Sequence, residues 1–329
     1  MTAPGTPPSL AELAARGRVH LVGVGGAGMS AVAALLAARG LEVSGSDASA
    51  RALPAVHSAG VRVFTGHAAE HVDGAGTVVV STAIRADNPE LRRAKELGIA
   101  VLHRSAALAA LLAEHRSVAV AGAHGKTTTS AMVAVTLAAA GLDPSWAIGG
   151  TVRTAVPPAG AEPGPAPDPV GGAHLGTGSV MVVEADESDG SFLAYHPLIG
   201  VVTNVEPDHL DHYGSREAFE QAFVDFAGTV AEALVVCIDD PGGRRLAELV
   251  RGQGRRVVTY GSDPEADVML GTWEPSGSGG STTVHERGAS PVPLQLAVPG
   301  SHNALNAAAA WAVARLLGVP GDLAAAGLA

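Results

Sequence analysis

Cysteine is almost missing from this 329-residue chain: Cys237 stands alone, which excludes an internal disulfide and suits a reducing compartment. Aromatic residues make up only 3% against 47% apolar residues in all, so the core is left to Ala, Val and Leu. Positive charge is also scarce. The net charge of −11 and the lack of basic stripes argue against binding to a phosphate backbone, so no nucleic-acid partner is expected. No apolar run reaches the ~18 residues that span a bilayer, and no basic n-region with an apolar h-region opens the chain. The expectation is a soluble, cytoplasmic protein with no membrane partner. Lysine is rarest of the basic residues, with Lys95 and Lys126 the only two among 21 Lys and Arg. Where arginine replaces lysine nearly everywhere, a retained lysine suggests a need for a compact ammonium.

What is abundant is turn chemistry. Forty-two glycines and 21 prolines punctuate a chain long enough for two domains. After a frayed start over residues 1–17 leading into a short helix, apolar strands and Ala-rich helices alternate. "RVHLVGVGG", "LEVSGSD", "VRVFTGH", "TVVVSTAI" and "IAVLHRS" read as strands, with helices at "MSAVAALLAARG" and "NPELRRAKELG". The pattern restarts at residue 117 with "SVAVAG" and the helix "KTTTSAMVAVTLAAAG", then strands at "SVMVVEAD", "LIGVVTNVEPD", "ALVVCIDD" and "RRVVTYG". Helices at "SREAFEQAFVDFAG" and "RRLAELVRG" lie between the later strands. Buried apolar strands separated by helices predict a parallel, doubly wound α/β sheet. Two glycine-loop openings imply two domains, 1–107 and 108–329, joined near 105–116. The Pro/Gly-rich stretch 157–179 reads as a mobile surface excursion, and 274–288 as a hairpin or exposed loop.

Four stretches carry chemistry. "GVGGAG" sets Gly23, Gly25 and Gly28 in G-x-G-x-x-G spacing between a strand and a helix, and Asp47 ends the next strand. That combination suits a dinucleotide such as NAD, with the pyrophosphate at the helix start, but a plain structural turn accounts for it too. "GAHGKT", Gly122 to Thr127, is a shortened phosphate loop: backbone N–H groups can cradle phosphates, Lys126 can reach β and γ oxygens, and Thr127 can hold Mg²⁺. "VVEADESDGSF" brings Glu184, Asp186, Glu187 and Asp189 to a strand end, where acids hold a hard cation. Glu187 reads as a solvated turn residue. "TNVEPDHLDHY" adds Asn204, Asp208, His209, Asp211 and His212; without a Cys pair or H-E-x-x-H, a second Mg²⁺ or Mn²⁺ fits better than zinc. Finally, "GSHNALN" places His302, Asn303 and Asn306 at a helix start, with Asn303 either an N-cap or a reader of a base edge.

Taken together, "GVGGAGMS", "GAHGKTTT", "EADESDGSF", "TNVEPDHLDHY" and "GSHNALN" resemble the Mur ligases, in which the short G-x-x-G-K-T loop is the normal form. The resemblance implies an N-terminal Rossmann-like domain that binds a UDP-sugar, followed by a P-loop-type central ATPase domain with a mostly parallel sheet. It implies that ATP phosphorylates the lactyl carboxylate of UDP-N-acetylmuramic acid and that the amine of L-alanine displaces phosphate. A recycling ligase that adds a murein tripeptide to the same UDP-sugar is the alternative within the family. A NAD-dependent dehydrogenase is the rival outside it; it explains the first glycine loop but not the second.

By the same resemblance, Gly122, Ala123, His124, Gly125, Lys126, Thr127, Thr128, His302, Asn303 and Asn306 bind ATP. Lys126 and His209 are catalytic, and Thr127, Glu184 and His209 hold one or two Mg²⁺, with Mn²⁺ as a substitute. Gly23, Gly25, Gly26, Gly28, Met29, Asp47, Ser81, Thr82, Ala83, Gly149 and Gly150 line the UDP-sugar site. The chain is expected to be a monomer or weak homodimer. Since no lysine follows Lys126, the carbamoylated lysine of several relatives has no counterpart. The 157–179 stretch reads as a dispensable insertion. A third, C-terminal domain that supplies the amino-acid site is expected in the family and absent from these residues, so nucleotide binding without ligation is expected of this chain alone.

Overall fold

Every residue of the first strand, β1 (Val19–Val22), is buried, as a strand covered on both faces requires. A computed structural model describes residues 7–152, 172–208 and 210–329. These form two units: 7–115 with 146–151 and 172–175, and 116–145 with 152, 176–208 and 210–329.

In the first unit, β1 pairs in parallel with β2 (Val43–Asp47) on one side and β4 (Thr77–Val80) on the other. Adding β3 (Arg62–Thr65) and β5 (Ala100–His103) gives an all-parallel sheet in the order β3-β2-β1-β4-β5. The chain works outward from β1 to β3, then crosses back to β4, so the winding direction reverses between β1 and β4. Ligands of doubly wound sheets bind at that reversal, beyond the carboxyl ends of the strands. The helices are α1 (Leu10–Arg16), α2 (Ala27–Ala38), α3 (Leu53–Ser58), α4 (Pro89–Glu96) and α5 (Arg104–Leu112). Their starts follow local chemistry. Ser9 and Glu12 form a capping box on α1, and Asn88 accepts the N–H groups of Glu90 and Leu91 ahead of Pro89 in α4. Helix α5 fills much of 105–116, the stretch expected to join the domains, with Ala107 through Leu112 all buried, and the two units part just after it, between His115 and Arg116. Its small apolar residues make a core helix.

The second unit begins with β6 (Arg116–Ala121) and α6 (Lys126–Ala139). It continues through β9 (Val180–Glu184), β10 (Ile199–Val202), α7 (Leu210–Tyr213), α8 (Arg216–Thr229), β11 (Ala233–Cys237), α9 (Pro241–Gly252), β12 (Val257–Gly261) and β13 (Val268–Leu270). The strands from β9 through β6, β10, β11 and β12 to β13 are parallel. The 274–288 stretch forms the expected hairpin, β14 (Glu274–Ser276) and β15 (Gly279–Glu286), and β16 (Val292–Leu296) adds a further antiparallel strand beside β15. Helix α10 (Ser301–Leu316) packs on α6, and α11 (Gly321–Leu328) packs on both. The fully buried run Ala307–Ala310 lets the helices approach closely, with Trp311 filling the remaining space.

Strands β7 (Ser145–Ala147) and β8 (Ala173–His174) pair antiparallel, with the rings of Trp146 and His174 4.3 Å apart. Asp143 Oδ2 accepts both the N–H and the hydroxyl of Thr177, at 2.8 and 2.7 Å. Residues 172–179 are therefore anchored, which corrects the expected mobile excursion at that end; 157–171 lie outside the described residues. Among the described residues, no helix is long and apolar enough to cross a membrane.

Candidate functional site

The second glycine loop explains its own spacing. Gly122 turns the chain off β6 with φ +131°, and a Cβ there would lie 2.1 Å from Thr203 Oγ1. Gly125 is the N-cap of α6 with φ +83°, and its Cβ would meet Asn306 Oδ1 at 2.7 Å. Two positions that no side chain fits therefore fix G-x-x-G. Between them His124 is clamped: its N–H donates to Asn204 Oδ1, and its carbonyl accepts from Asn204 Nδ2, both at 3.0 Å. The N-cap offers no side chain to the first amides of α6, so that helix end keeps its N–H groups and its partial positive charge for an anion.

Lys126 is held by three oxygens. Its Nζ donates to the carbonyls of Gly122 (2.6 Å) and Ala123 (3.3 Å) and to Glu187 Oε1 (2.9 Å). Glu187 is 1% exposed, which corrects its reading as a solvated turn residue. Its carboxylate turns inward because the loop after β9 folds under Lys126. Burial pushes Glu187 up, and the charge of Lys126 opposes the shift. The hydroxyl of Tyr213 donates to the Glu187 carbonyl. Burial and the neighbouring acids Glu187, Asp189 and Asp186 push Tyr213 up to about 12, so it remains a donor.

Thr127 Oγ1 donates to Glu184 Oε1 at 2.9 Å, bringing together two of the three expected metal ligands. A hydroxyl and a carboxylate beside a phosphate loop are hard oxygen donors and fit Mg²⁺. The third, His209, lies outside the described residues. Among the described residues, no cluster of three or more His, Cys, Asp or Glu is arranged to hold an ion on its own. Asn303 is not an N-cap. Gly300 occupies that position, Asn303 Nδ2 donates back to the Pro299 carbonyl (2.8 Å), and Asn303 Oδ1 accepts from Asn306 (3.2 Å). Asn306 in turn accepts the Thr129 hydroxyl at 3.1 Å, stitching α10 to the first turn of α6. His302 and Thr128 are exposed.

In the first unit the glycine loop hangs from the end of β2. The Ser46 carbonyl accepts the N–H groups of Gly23 (2.8 Å) and Val24 (2.9 Å), and Asp47 Oδ2 accepts that of Gly25 (2.9 Å). Gly26 is the bare N-cap of α2, and Met29 is 4% exposed, packed into the core. Ser81, Thr82 and Ala83 follow β4, and Ile84 beside them packs against Gly23. Gly149 and Gly150 follow β7, where the carbonyls of Ile148 and Gly150 close around Gly172.

Two features escape a sequence reading. Arg104 Nη1 would lie 2.5 Å from a Cβ on Gly28, placing a guanidinium against the start of α2. Behind the loop sits Glu90, wholly buried. Its Oε2 accepts Ser46 Oγ (2.7 Å) and His67 Nδ1 (2.9 Å), while its Oε1 lies 2.7 Å from His71 Nδ1 and 3.6 Å from His20 Nε2. Burial alone would raise this carboxyl, but the nearby His20 imidazole and the hydrogen bonds from Ser46, His71 and His67 outweigh it and leave Glu90 at about 2. Burial drives His20 down. These residues come from four separate segments, so no local motif announces them.

Comparison with known proteins fits this geometry. Residues 18–116 match the family model described as Mur ligase family, catalytic domain, and residues 120–314 match that of the Mur ligase middle domain. A UDP-N-acetylmuramate–L-alanine ligase of Kineococcus radiotolerans is 52% identical over 324 residues, covering 97% of this chain and 65% of the relative. That of Renibacterium salmoninarum is also 52% identical, with 97% and 66% covered. The chain thus spans about two thirds of the length of these relatives. Among solved structures, the UDP-N-acetylmuramate–alanine ligase of Thermotoga maritima superposes with a TM-score of 0.79 at 30% identity, covering 94% of this chain and 67% of that one. The tripeptide-adding UDP-N-acetylmuramate ligase of Neisseria meningitides also gives 0.79, at 26% identity, covering 95% and 97%. With the middle-domain model alone matching more than half of its residues, the chain belongs to the Mur ligase family.

Proposed function

We propose that this chain carries the sugar-nucleotide and ATP sites of a ligase that joins L-alanine to the lactyl carboxylate of UDP-N-acetylmuramic acid, in cytoplasmic peptidoglycan precursor synthesis. The observation that carries the reading is the fixed Lys126 beside the Thr127–Glu184 pair, in a chain about half identical to relatives of that name. Residues 1–107 bind the UDP-sugar through the loop at Gly23–Gly28, and residues 108–329 bind ATP. A carboxylate oxygen attacks the γ-phosphorus and ADP leaves; the amine nitrogen then attacks the acyl carbon and inorganic phosphate leaves. Negative charge accumulates where a carboxylate meets a triphosphate, and Lys126, held in place beforehand, offsets it without reorganising. Thr127 and Glu184, with His209 for a second ion, are the residues to hold Mg²⁺, which supplies further charge neutralisation there. The tripeptide-adding reading is less favoured, because the structural neighbour of that kind is 26% identical and the curated relatives, at 46–52%, carry the L-alanine name.

Calorimetric titration of this chain tests the reading. UDP-N-acetylmuramic acid and Mg²⁺-ATP should each bind at their own site, and each at ~100 times its Kd should add about 2.7 kcal/mol of stability. NAD⁺ should add nothing. Binding of NAD⁺ with no response to the UDP-sugar would return the first unit to the dinucleotide-binding proteins.

A further inference from the structure

The cluster around Glu90 takes no part in the chemistry above, yet it is joined to the first glycine loop by a short chain of contacts. Glu90 Oε2 accepts the Ser46 hydroxyl at 2.7 Å. The carbonyl of that same Ser46 accepts the N–H groups of Gly23 and Val24, and Asp47, the next residue, accepts that of Gly25. The Asp47 carbonyl also accepts the N–H of Gly66, just after β3, and His67 follows it onto Glu90. The ends of β2 and β3 and the first turn of α4 therefore converge on one buried carboxylate. The course of the loop into α2 is fixed by residues that the carboxylate itself fixes.

We propose that Glu90 is a positioning residue for the sugar-nucleotide site: through Ser46 it sets the backbone of Gly23–Gly25 in the conformation that receives the diphosphate. This rests on the sugar-nucleotide reading of the first unit. Gly23, Val24 and Gly25 spend their own N–H groups on Ser46 and Asp47, so these bonds fix the path by which the chain enters α2. The uncapped first amides of that helix receive an anion only if the path is already set, because setting it at the moment of binding costs conformational freedom. The carboxylate suits this task. It accepts three donors at once, whereas an amide at the same place would set its own N–H groups against Ser46, His67 or His71. His71 and His20 lie on the other carboxylate oxygen, away from Ser46.

The test is calorimetry on the whole chain with UDP-N-acetylmuramic acid and, separately, Mg²⁺-ATP. The variants are Glu90→Gln, Ser46→Ala, the pair combined, and His71→Gln. Loss of a charge-assisted link should weaken UDP-sugar binding by about tenfold or more in Glu90→Gln and Ser46→Ala, leaving ATP affinity as it was. The combined variant should lose no more than the worse single one, since both cut one chain of contacts. His71→Gln should lower Tm without moving UDP-sugar affinity. If Glu90→Gln does not fold, Ser46→Ala, which removes a single hydroxyl, decides alone. A folded Glu90→Gln or Ser46→Ala that binds the UDP-sugar normally overturns the proposal and leaves the functional reading intact. So does a His71→Gln that loses as much affinity as they do. Failure of the parent chain to bind the UDP-sugar while still binding ATP overturns the functional reading, and the proposal with it.

Discussion

Replacing Lys126 with Met should destabilise the second unit in a way that depends on pH. In the parent, Glu187 is 1% exposed, with Oε1 held 2.9 Å from the ammonium and Oε2 without a hydrogen-bond partner among the described residues. Removing the lysine leaves a buried carboxylate with no counter-charge, a change that costs about 3–5 kcal/mol. The carboxylate escapes part of this by taking up a proton. Its pKa is already raised by burial, and the lysine that opposes the shift is gone. In the variant the folded pKa therefore lies further above the unfolded value, so the penalty is full above the folded pKa. It shrinks by about 1.4 kcal/mol for each pH unit as pH falls towards the unfolded value of 4.5. Urea denaturation read by the emission of Trp311, buried in α10 of the same unit, should show a deficit near 3 kcal/mol at pH 8 that mostly vanishes at pH 5. Adding Glu187→Gln should recover most of the loss at pH 8. Equal stability of parent and Lys126→Met at pH 8, or a deficit that ignores pH, would refute the ion pair as described.

Gly122→Ala should cost about 2–5 kcal/mol and abolish ATP binding, because it combines a φ of +131° with a Cβ 2.1 Å from Thr203 Oγ1; a variant of parental Tm that still binds ATP by calorimetry would contradict this. Thr127→Ala and Glu184→Gln should each lower ATP affinity by about tenfold with Mg²⁺ present and change little in EDTA, since their effect runs through the ion; equal losses in both buffers would remove them as metal ligands. Glu90, at about 2 when folded against 4.5 when unfolded, contributes stability that is complete above pH 4.5 and drains away as pH falls towards 2, on the order of 3 kcal/mol in all. Acid denaturation of Glu90→Gln should lack that slope, and a slope matching the parent's would rule out Glu90 as its source.

Much of this was readable in the sequence. Most of the parallel strands are legible because buried parallel strands are continuous apolar runs, while the short β7, β8, β13 and β16 are not. Both glycine loops are legible because a turn between strand and helix needs residues that tolerate positive φ, as Gly23, Gly122 and Gly125 show. Helix α5 is less legible, because its small apolar residues carry no polar face to mark one side. The inward turn of Glu187 is not legible, because local polarity in "EADESDGSF" says nothing of which acid turns inward; that depends on Lys126, 61 residues away. The Glu90 cluster was invisible for the same reason, its partners lying 19 to 70 residues apart from it with no shared periodicity.

The stitch from Thr129 to Asn306 bears on how the protein is made. The two residues are 177 apart, so the nucleotide loop cannot be completed until the chain through Asn306 has left the ribosome. Closing a loop of that length costs roughly 4–5 kcal/mol of chain entropy by an ideal-chain estimate, recovered only when α10 docks on α6. The first unit's sheet, by contrast, needs nothing beyond His103 for its own strand ladder. During synthesis, at about 5–20 residues per second, that sheet can form some ten seconds or more before Asn306 exists. The order of assembly is thereby biased: the N-terminal sheet matures early, while the lysine loop remains an open strand end, with its apolar β6 dependent on partners not yet translated. A stalled or truncated product ending between α6 and β9 would expose that strand and be a substrate for chaperones.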